Sequence, residues 1–266
     1  KLREIESEQA ISELSEKEGE LITVMVRSVD GDNVHVEINK QIEAVLMPQD
    51  QAPNDKYEIG QNVKVYVKKI KVGTRGPQVL VSRTVPGFVK RLFELEVPEI
   101  ANGLVTIKSI VREAGYRTKM AVYSEDPGID AVGACVGNRG MRVSAIVAEL
   151  GGEKIDIIPW CPDTLEFIAR SLSPAKVVMV QVNDDERTAK VVVMDDMLSL
   201  AIGRDGQNAR LAAKLTGWKI DVKPYSSLMQ SEEEPEDVEE PANVEAGDGE
   251  ELKEEAIFDE DLGDLE

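Results

Sequence analysis

Two periodicities divide this chain. Between about residues 19 and 84, apolar side chains alternate with polar ones in the short runs 21–29, 34–38, 42–47, 63–72 and 78–82, separated by turn-forming residues. This period-2 pattern predicts five half-buried strands, and five short strands in so small a segment suit a small closed β-barrel. In Val34-His35-Val36-Glu37-Ile38 the branched residues must share the inner face, which turns His35 and Glu37 outward. The same logic places Lys64, Tyr66 and Lys68 together on the outer surface. Ile70 and Val72 then fall into phase with the lysines, so a β-bulge is expected at Lys68-Lys69.

From Pro86 the spacing becomes helical, with Phe88, Leu92 and Leu95 on one side and Pro86 in the first turn. Strand-like runs at 104–112 and 117–123 follow, joined by Glu113-Ala114-Gly115-Tyr116. Next come a short apolar helix, the loop Gly137-Asn138-Arg139-Gly140, an Ala-rich helix and a strand at 154–158. After Pro159-Trp160-Cys161-Pro162 the same order returns. A helix at 163–171 has Asp163 and Glu166 spaced as a capping box, strands at 176–182 and 189–194 form a hairpin, and Gly203-Arg204-Asp205-Gly206 leads into a second Ala-rich helix and a strand. Lys154-Ile155-Asp156-Ile157 in the first copy answers to Lys219-Ile220-Asp221-Val222 in the second, an internal repeat of about 66 residues. A third match, Gly73-Thr74-Arg75-Gly76, reads as a hairpin turn.

The expected organisation is therefore multidomain. Residues 1–18 form the end of a polar connector helix, 19–84 an all-β OB-type barrel, 85–160 and 161–226 two α/β units, and 227–266 a disordered acidic tail. The chain opens on Lys1 inside a charged helical pattern, which leads us to expect sequence before it. No apolar run approaches membrane-spanning length and no signal peptide is evident, so a cytoplasmic protein is expected. Cys135 and Cys161 lack metal-ligand spacing and are too few for a disulfide scaffold; both are expected as buried thiols.

The net charge of −20 opposes a polyanionic partner until its distribution is read. Residues 231–266 carry 18 acidic side chains against Lys253, a net of −17, which leaves −3 on the other 230 residues. A nearly neutral body binds phosphates if its bases gather on one side.

The two glycine loops are where chemistry concentrates. Each second glycine leads straight into a helix, at Met141 and at Gln207, so unpaired N–H groups and the positive dipole end face the loop. Glycine lets a sugar-phosphate backbone come close. Arg139 and Arg142, or Arg204 and Arg210, add positive charge, while Gln207 and Asn208 carry hydrogen-bond donors. Asp205 works against phosphate contact by like-charge repulsion. The bland alternative is a tight corner in which glycine merely permits close packing. On the barrel, Lys64, Tyr66, Lys68 and His35 fit a stacking and phosphate-contacting platform, or else a solvated outer face.

Val136-Gly137-Asn138-Arg139-Gly140 and Ile202-Gly203-Arg204-Asp205-Gly206 resemble the signature loops of KH domains, in the type 2 element order. A ribosomal-protein-S1-type barrel followed by two such units resembles the NusA family of bacterial transcription elongation, termination and antitermination factors. Arg112-Glu113-Ala114-Gly115-Tyr116-Arg117 and Ala201-Ile202-Gly203-Arg204-Asp205-Gly206-Gln207-Asn208 carry the likeness further. The resemblance spans about residues 19–225 and implies single-stranded nascent RNA, RNA polymerase and other antitermination factors as partners, with no cofactor, metal or membrane. The family's N-terminal polymerase-binding domain has no counterpart in these residues. A monomer is expected.

The implied activity is RNA binding that changes pausing, termination and antitermination, with an RNA-decay or ribosome-associated adaptor as the alternative. An enzyme finds little support. His35 is the single histidine, no Walker-type phosphate loop precedes a helix, and the best carboxylate pair, Asp195-Asp196, reads more simply as a helix N-cap.

Overall fold

The computed structural model describes residues 16–38, 42–73 and 76–227. The expected acidic tail and most of the connector helix lie outside those residues, and Glu16–Gly19, at the connector's end, form a turn.

Strands β1 (Leu21–Asp30), β2 (Asn33–Ile38), β3 (Ile42–Leu46), β4 (Asn62–Gly73) and β5 (Gly76–Ser82) close a barrel in the order β1-β2-β3-β5-β4. Alternation puts Val24 and Val26, Val34 and Val36, and Val65 and Val67 inside, each almost fully buried. Tyr66 pairs with Ser82 and Val67 with Val81, but the next pair is Lys69 with Leu80, so Lys68 is the extra residue of the anticipated bulge. The β4–β5 ladder runs on to a Gly73–Gly76 pair, as a hairpin requires; the two residues between them are outside those described.

Helices α1 (Pro86–Glu96) and α2 (Pro98–Ala101) open the first α/β unit. Strands β6 (Thr106–Glu113) and β7 (Arg117–Tyr123), helices α3 (Ala131–Val136) and α4 (Met141–Glu149), and β8 (Lys154–Pro159) complete it. β6 and β7 are antiparallel and β8 runs parallel to β7. The buried stripe of α1 is Phe88, Val89, Leu92 and Phe93, not the expected set ending in Leu95, which is exposed. The helix rotates this way because Phe93 and Val89 fill the core with Met120, Val122, Ile146 and Leu150.

The second unit repeats the plan with α5 (Thr164–Ser171), β9 (Val177–Asn183), β10 (Thr188–Val193), α6 (Leu198–Ile202), α7 (Gln207–Thr216) and β11 (Lys219–Pro224). Asp163 caps α5 by accepting the Glu166 N–H at 2.9 Å. The Glu166 carboxylate does not close a capping box and pairs instead with Arg170. Asp195 also departs from expectation: its carboxylate accepts the Ser226 N–H at 3.1 Å and caps no helix. Cys135 is fully buried, whereas Cys161, expected inside, is only partly covered.

Two joints hold the units together. Leu215 of α7 packs with Ala121, Ile158, Val111, Trp160 and Phe167 between the two α/β units. Arg83, buried between barrel and first unit, pairs with Asp55 at 2.6 Å and Glu149 at 3.0 Å.

Candidate nucleic-acid interface

The two loops have the same backbone. Gly137 and Gly203 stand at φ/ψ of 75/174° and 76/173°, Arg139 and Asp205 at 53/29° and 52/28°, and Gly140 and Gly206 at 76/11° and 73/12°. The first of these conformations is open essentially to glycine alone, and the other two are left-handed. Asp is among the few side chains that tolerate the left-handed region, which supplies a local reason for Asp205. Neither α4 nor α7 has a side-chain N-cap, so the first N–H groups of both helices face the loops without a side-chain partner.

The two glycines of each loop do different work. A Cβ on Gly137 would meet the Arg142 side chain at 2.7 Å, and one on Gly203 would meet the Asn208 N and Cβ at 2.8 Å. The first glycine thus makes room for the residue five positions on, in its own helix. Around Gly206 nothing lies within 4 Å, and around Gly140 only Ser144 Oγ at 3.9 Å. Open space for a backbone from outside is at the second glycine.

The expected site residues separate into exposed and committed groups. Asn138, Arg139, Arg204 and Asp205 are exposed, the Arg204 side chain to 94%. Arg142 is held by Glu99 at 2.9 Å and the Ala134 carbonyl at 2.7 Å. Asn208 is 1% exposed and its amide donates to the Leu172 and Ala201 carbonyls, both at 3.0 Å, so its expected donation to a ligand is replaced by an internal stitch. Gln207 donates to Glu113 at 2.8 Å, and Arg210 reaches the same carboxylate at 2.7 Å. The Arg210 hydrogen bond, more than that of Gln207, holds the Glu113 carboxyl below its usual range.

The barrel platform is corrected more strongly. Tyr66 packs against the core of the first α/β unit, with Gly87 of α1 so close that a Cβ there would lie 2.9 Å from the ring. Lys64 pairs with Glu149 at 3.3 Å and Lys68 with Asp50 at 2.9 Å. The outward phase agrees with the structure, but the first α/β unit lies on Tyr66 and draws Lys64 to Glu149, while Lys68 stays exposed beside Asp50 of the barrel segment. His35 is half-buried on another outer face, paired across strands with Ser28 and Val45, where Glu37 stands opposite Glu43.

A groove of about 720 Å³ runs between the two α/β units. The second loop forms one wall through Gly203, Arg204 and Asp205; Tyr116, Arg117 and Lys154 of the first unit form the other. Tyr116 is 61% exposed and Lys154 is exposed, while Arg117 is paired with Asp156. None of these three is among the site residues expected from sequence, although Lys154 belongs to the repeated segment and Tyr116 to a turn where an exposed aromatic stands out. Gly152, also in the wall, lies beyond the far end of α4 from the first loop, roughly 13 Å along the helix axis.

Comparison with known proteins identifies the two α/β units. Residues 83–160 match the NusA-like first KH domain and residues 164–230 the NusA-like second KH domain. "Transcription termination/antitermination protein NusA" of Halalkalibacterium halodurans is 50% identical over 230 residues, 86% of this chain and 60% of that protein. The Bacillus subtilis protein of that name is 50% identical over 240 residues, 90% of this chain and 64% of its own length. For the Mycobacterium bovis protein the figures are 47% over 231 residues, 84% and 67%. The chain thus spans about two thirds or somewhat less of each relative. With a closed five-stranded barrel ahead of two KH domains and this level of identity, the chain belongs to the NusA family.

Proposed function

We propose that this chain is a non-enzymatic, single-stranded RNA-binding part of a transcription factor, acting on nascent RNA to alter pausing, termination and antitermination by RNA polymerase. The observation that carries this reading is the duplicated loop, with an open second glycine feeding an uncapped helix start. Each KH unit holds about four nucleotides, with the loop and following helix on one side and the sheet edge on the other. RNA held in this way cannot pair with itself, so hairpin formation behind the polymerase is changed. Asn138, Arg139 and Arg204, with the N–H groups near Gly140 and Gly206, supply the grip. RNA polymerase and other antitermination factors are the protein partners of this reading, and the names of the relatives favour transcription over an RNA-decay or ribosome-associated role. Among the described residues no helix is long and apolar enough to cross a membrane.

Fluorescence anisotropy with a labelled, unstructured RNA of about 12 nucleotides tests the assignment. Asn138→Asp, Arg139→Asp and Arg204→Asp together convert both loops to Gly-Asp-Asp-Gly while leaving the glycines in place. Binding should fall at least about tenfold, and wild-type affinity should drop with salt at a log-log slope of about −0.7 per phosphate contacted. Full affinity in the triple variant, or an affinity indifferent to salt, rejects the proposal.

A further inference from the structure

Beyond the loop residues themselves, the second copy differs from the first on its following helix. Four and seven residues after its first glycine it carries Gln207 and Arg210, where the first loop has Met141 and Ser144. Both donors are taken by one carboxylate of the neighbouring KH unit. Glu113, the last residue of β6, accepts from Gln207 Nε2 at 2.8 Å, from Arg210 Nε at 2.7 Å and from Arg210 Nη2 at 3.2 Å. Two carboxylate oxygens set against a guanidinium and an amide imitate the way a phosphate presents its oxygens. Arg210 also donates to the Asp205 carbonyl at 3.1 Å, which aims it along the loop.

We infer that Glu113 is a specificity-determining residue that occupies the phosphate seat of the second KH loop, so that RNA must displace this carboxylate to engage Gln207 and Arg210. The inference rests on the RNA-binding reading above and adds to it an order of events. The seat is accessible, because the Arg210 side chain is 47% exposed and that of Glu113 22%, and all three residues line or border the groove between the units. Exchange conserves the hydrogen bonds of the donors, since a phosphate replaces a carboxylate. It also releases a polar contact between the two KH units. Lys214 and Arg204 remain near the seat as positive charge, opposed by Asp205. A phosphodiester carries one negative charge, as the carboxylate does, so Glu113 thereby selects for a chain of phosphates held at further points over a lone anion.

The test is RNA affinity of Glu113→Gln, Arg210→Gln and the double variant, measured with the same labelled RNA as above, after circular dichroism has shown native folding. Freed from the competing charge, Glu113→Gln should bind roughly three- to tenfold tighter than wild type, because the phosphate no longer has to displace a carboxylate from Gln207 and Arg210. Arg210→Gln should bind more weakly, and adding Glu113→Gln to it should bring no gain. Equal or weaker binding by Glu113→Gln, or a gain that persists without Arg210, overturns the inference and leaves RNA binding itself intact. Loss of the whole premise looks different, because wild type would then show no salt-dependent RNA binding. A readout on the unmodified protein guards against a folding artefact. The Arg210 Nε–H and Gln207 side-chain amide resonances should shift on saturation with RNA, and resonances that stay in place sink the idea.

Discussion

A backbone at φ near +75° with ψ near 174° is closed to side chains, so the first glycine of each loop is a requirement of the fold before any ligand arrives. The second glycine is left-handed but uncrowded. Substitution separates the two roles. Gly203→Ala combines a forbidden backbone with a Cβ placed 2.8 Å from Asn208, and should cost about 2–4 kcal/mol. Gly206→Ala adds a methyl to open space and should cost about 1 kcal/mol, the strain of the left-handed conformation. Urea unfolding of the two variants checks this, and midpoints lowered by the same amount would refute the division. Under the proposed RNA-binding function, RNA affinity should follow the opposite emphasis, because the added methyl at Gly206 would fill the open space proposed for the RNA backbone.

At the scale of elements, α3 shows how burial sets chemistry. Burial, with lesser effects from Glu99 and Asp130, pushes the Cys135 thiol up to about 12, so it stays protonated and unreactive in the folded protein. Partly covered Cys161 should react with a thiol reagent at pH 8, while Cys135 should react only on unfolding; equal rates for both would contradict the packing of α3. The sign of the pH effect follows. The folded value lies above the unfolded one near 8.5, so the contribution to stability is full below about pH 8.5 and is lost as pH rises toward 12. Sequence pattern reached the elements themselves well, because alternation and helical spacing are local. The five barrel strands, the bulge at Lys68 and the repeated helix-strand order were all legible. What covers a face is not local. Nothing in Val63-Lys64-Val65-Tyr66 says that α1 will lie on Tyr66, or that Glu149, over 80 residues on, will take Lys64. For the same reason Gln207 and Asn208 looked alike in sequence, yet one reaches a neighbouring unit and the other points inward.

For the molecule as a whole, several contacts join barrel and KH pair, and Arg83 is the buried cation among them. Its guanidinium donates to Asp55 at 2.6 and 3.1 Å, to Glu149 Oε1 at 3.0 Å, and to the carbonyls of Lys64 at 2.6 Å and Glu149 at 2.7 Å, while lying 4.9 Å from the Phe88 ring centre. Barrel residues and the end of α4 thus meet on one buried cation. Removing it leaves Asp55 as a buried carboxylate without its partner, the kind of loss that costs about 3–5 kcal/mol. Arg83→Leu should therefore weaken the joint more than either core, since the apolar interiors of barrel and KH units are separate clusters. The two tryptophans, Trp160 and Trp218, both report on the KH side, whereas far-ultraviolet circular dichroism also reports barrel strands. In wild type the two probes should follow one unfolding curve, as a coupled unit requires. In Arg83→Leu the dichroism should begin to change at lower urea than the fluorescence, because the barrel lets go first. Coincident curves with a shift below about 1 kcal/mol would mean that apolar contact around Tyr66 and Phe88, and not the buried cation, joins the two halves.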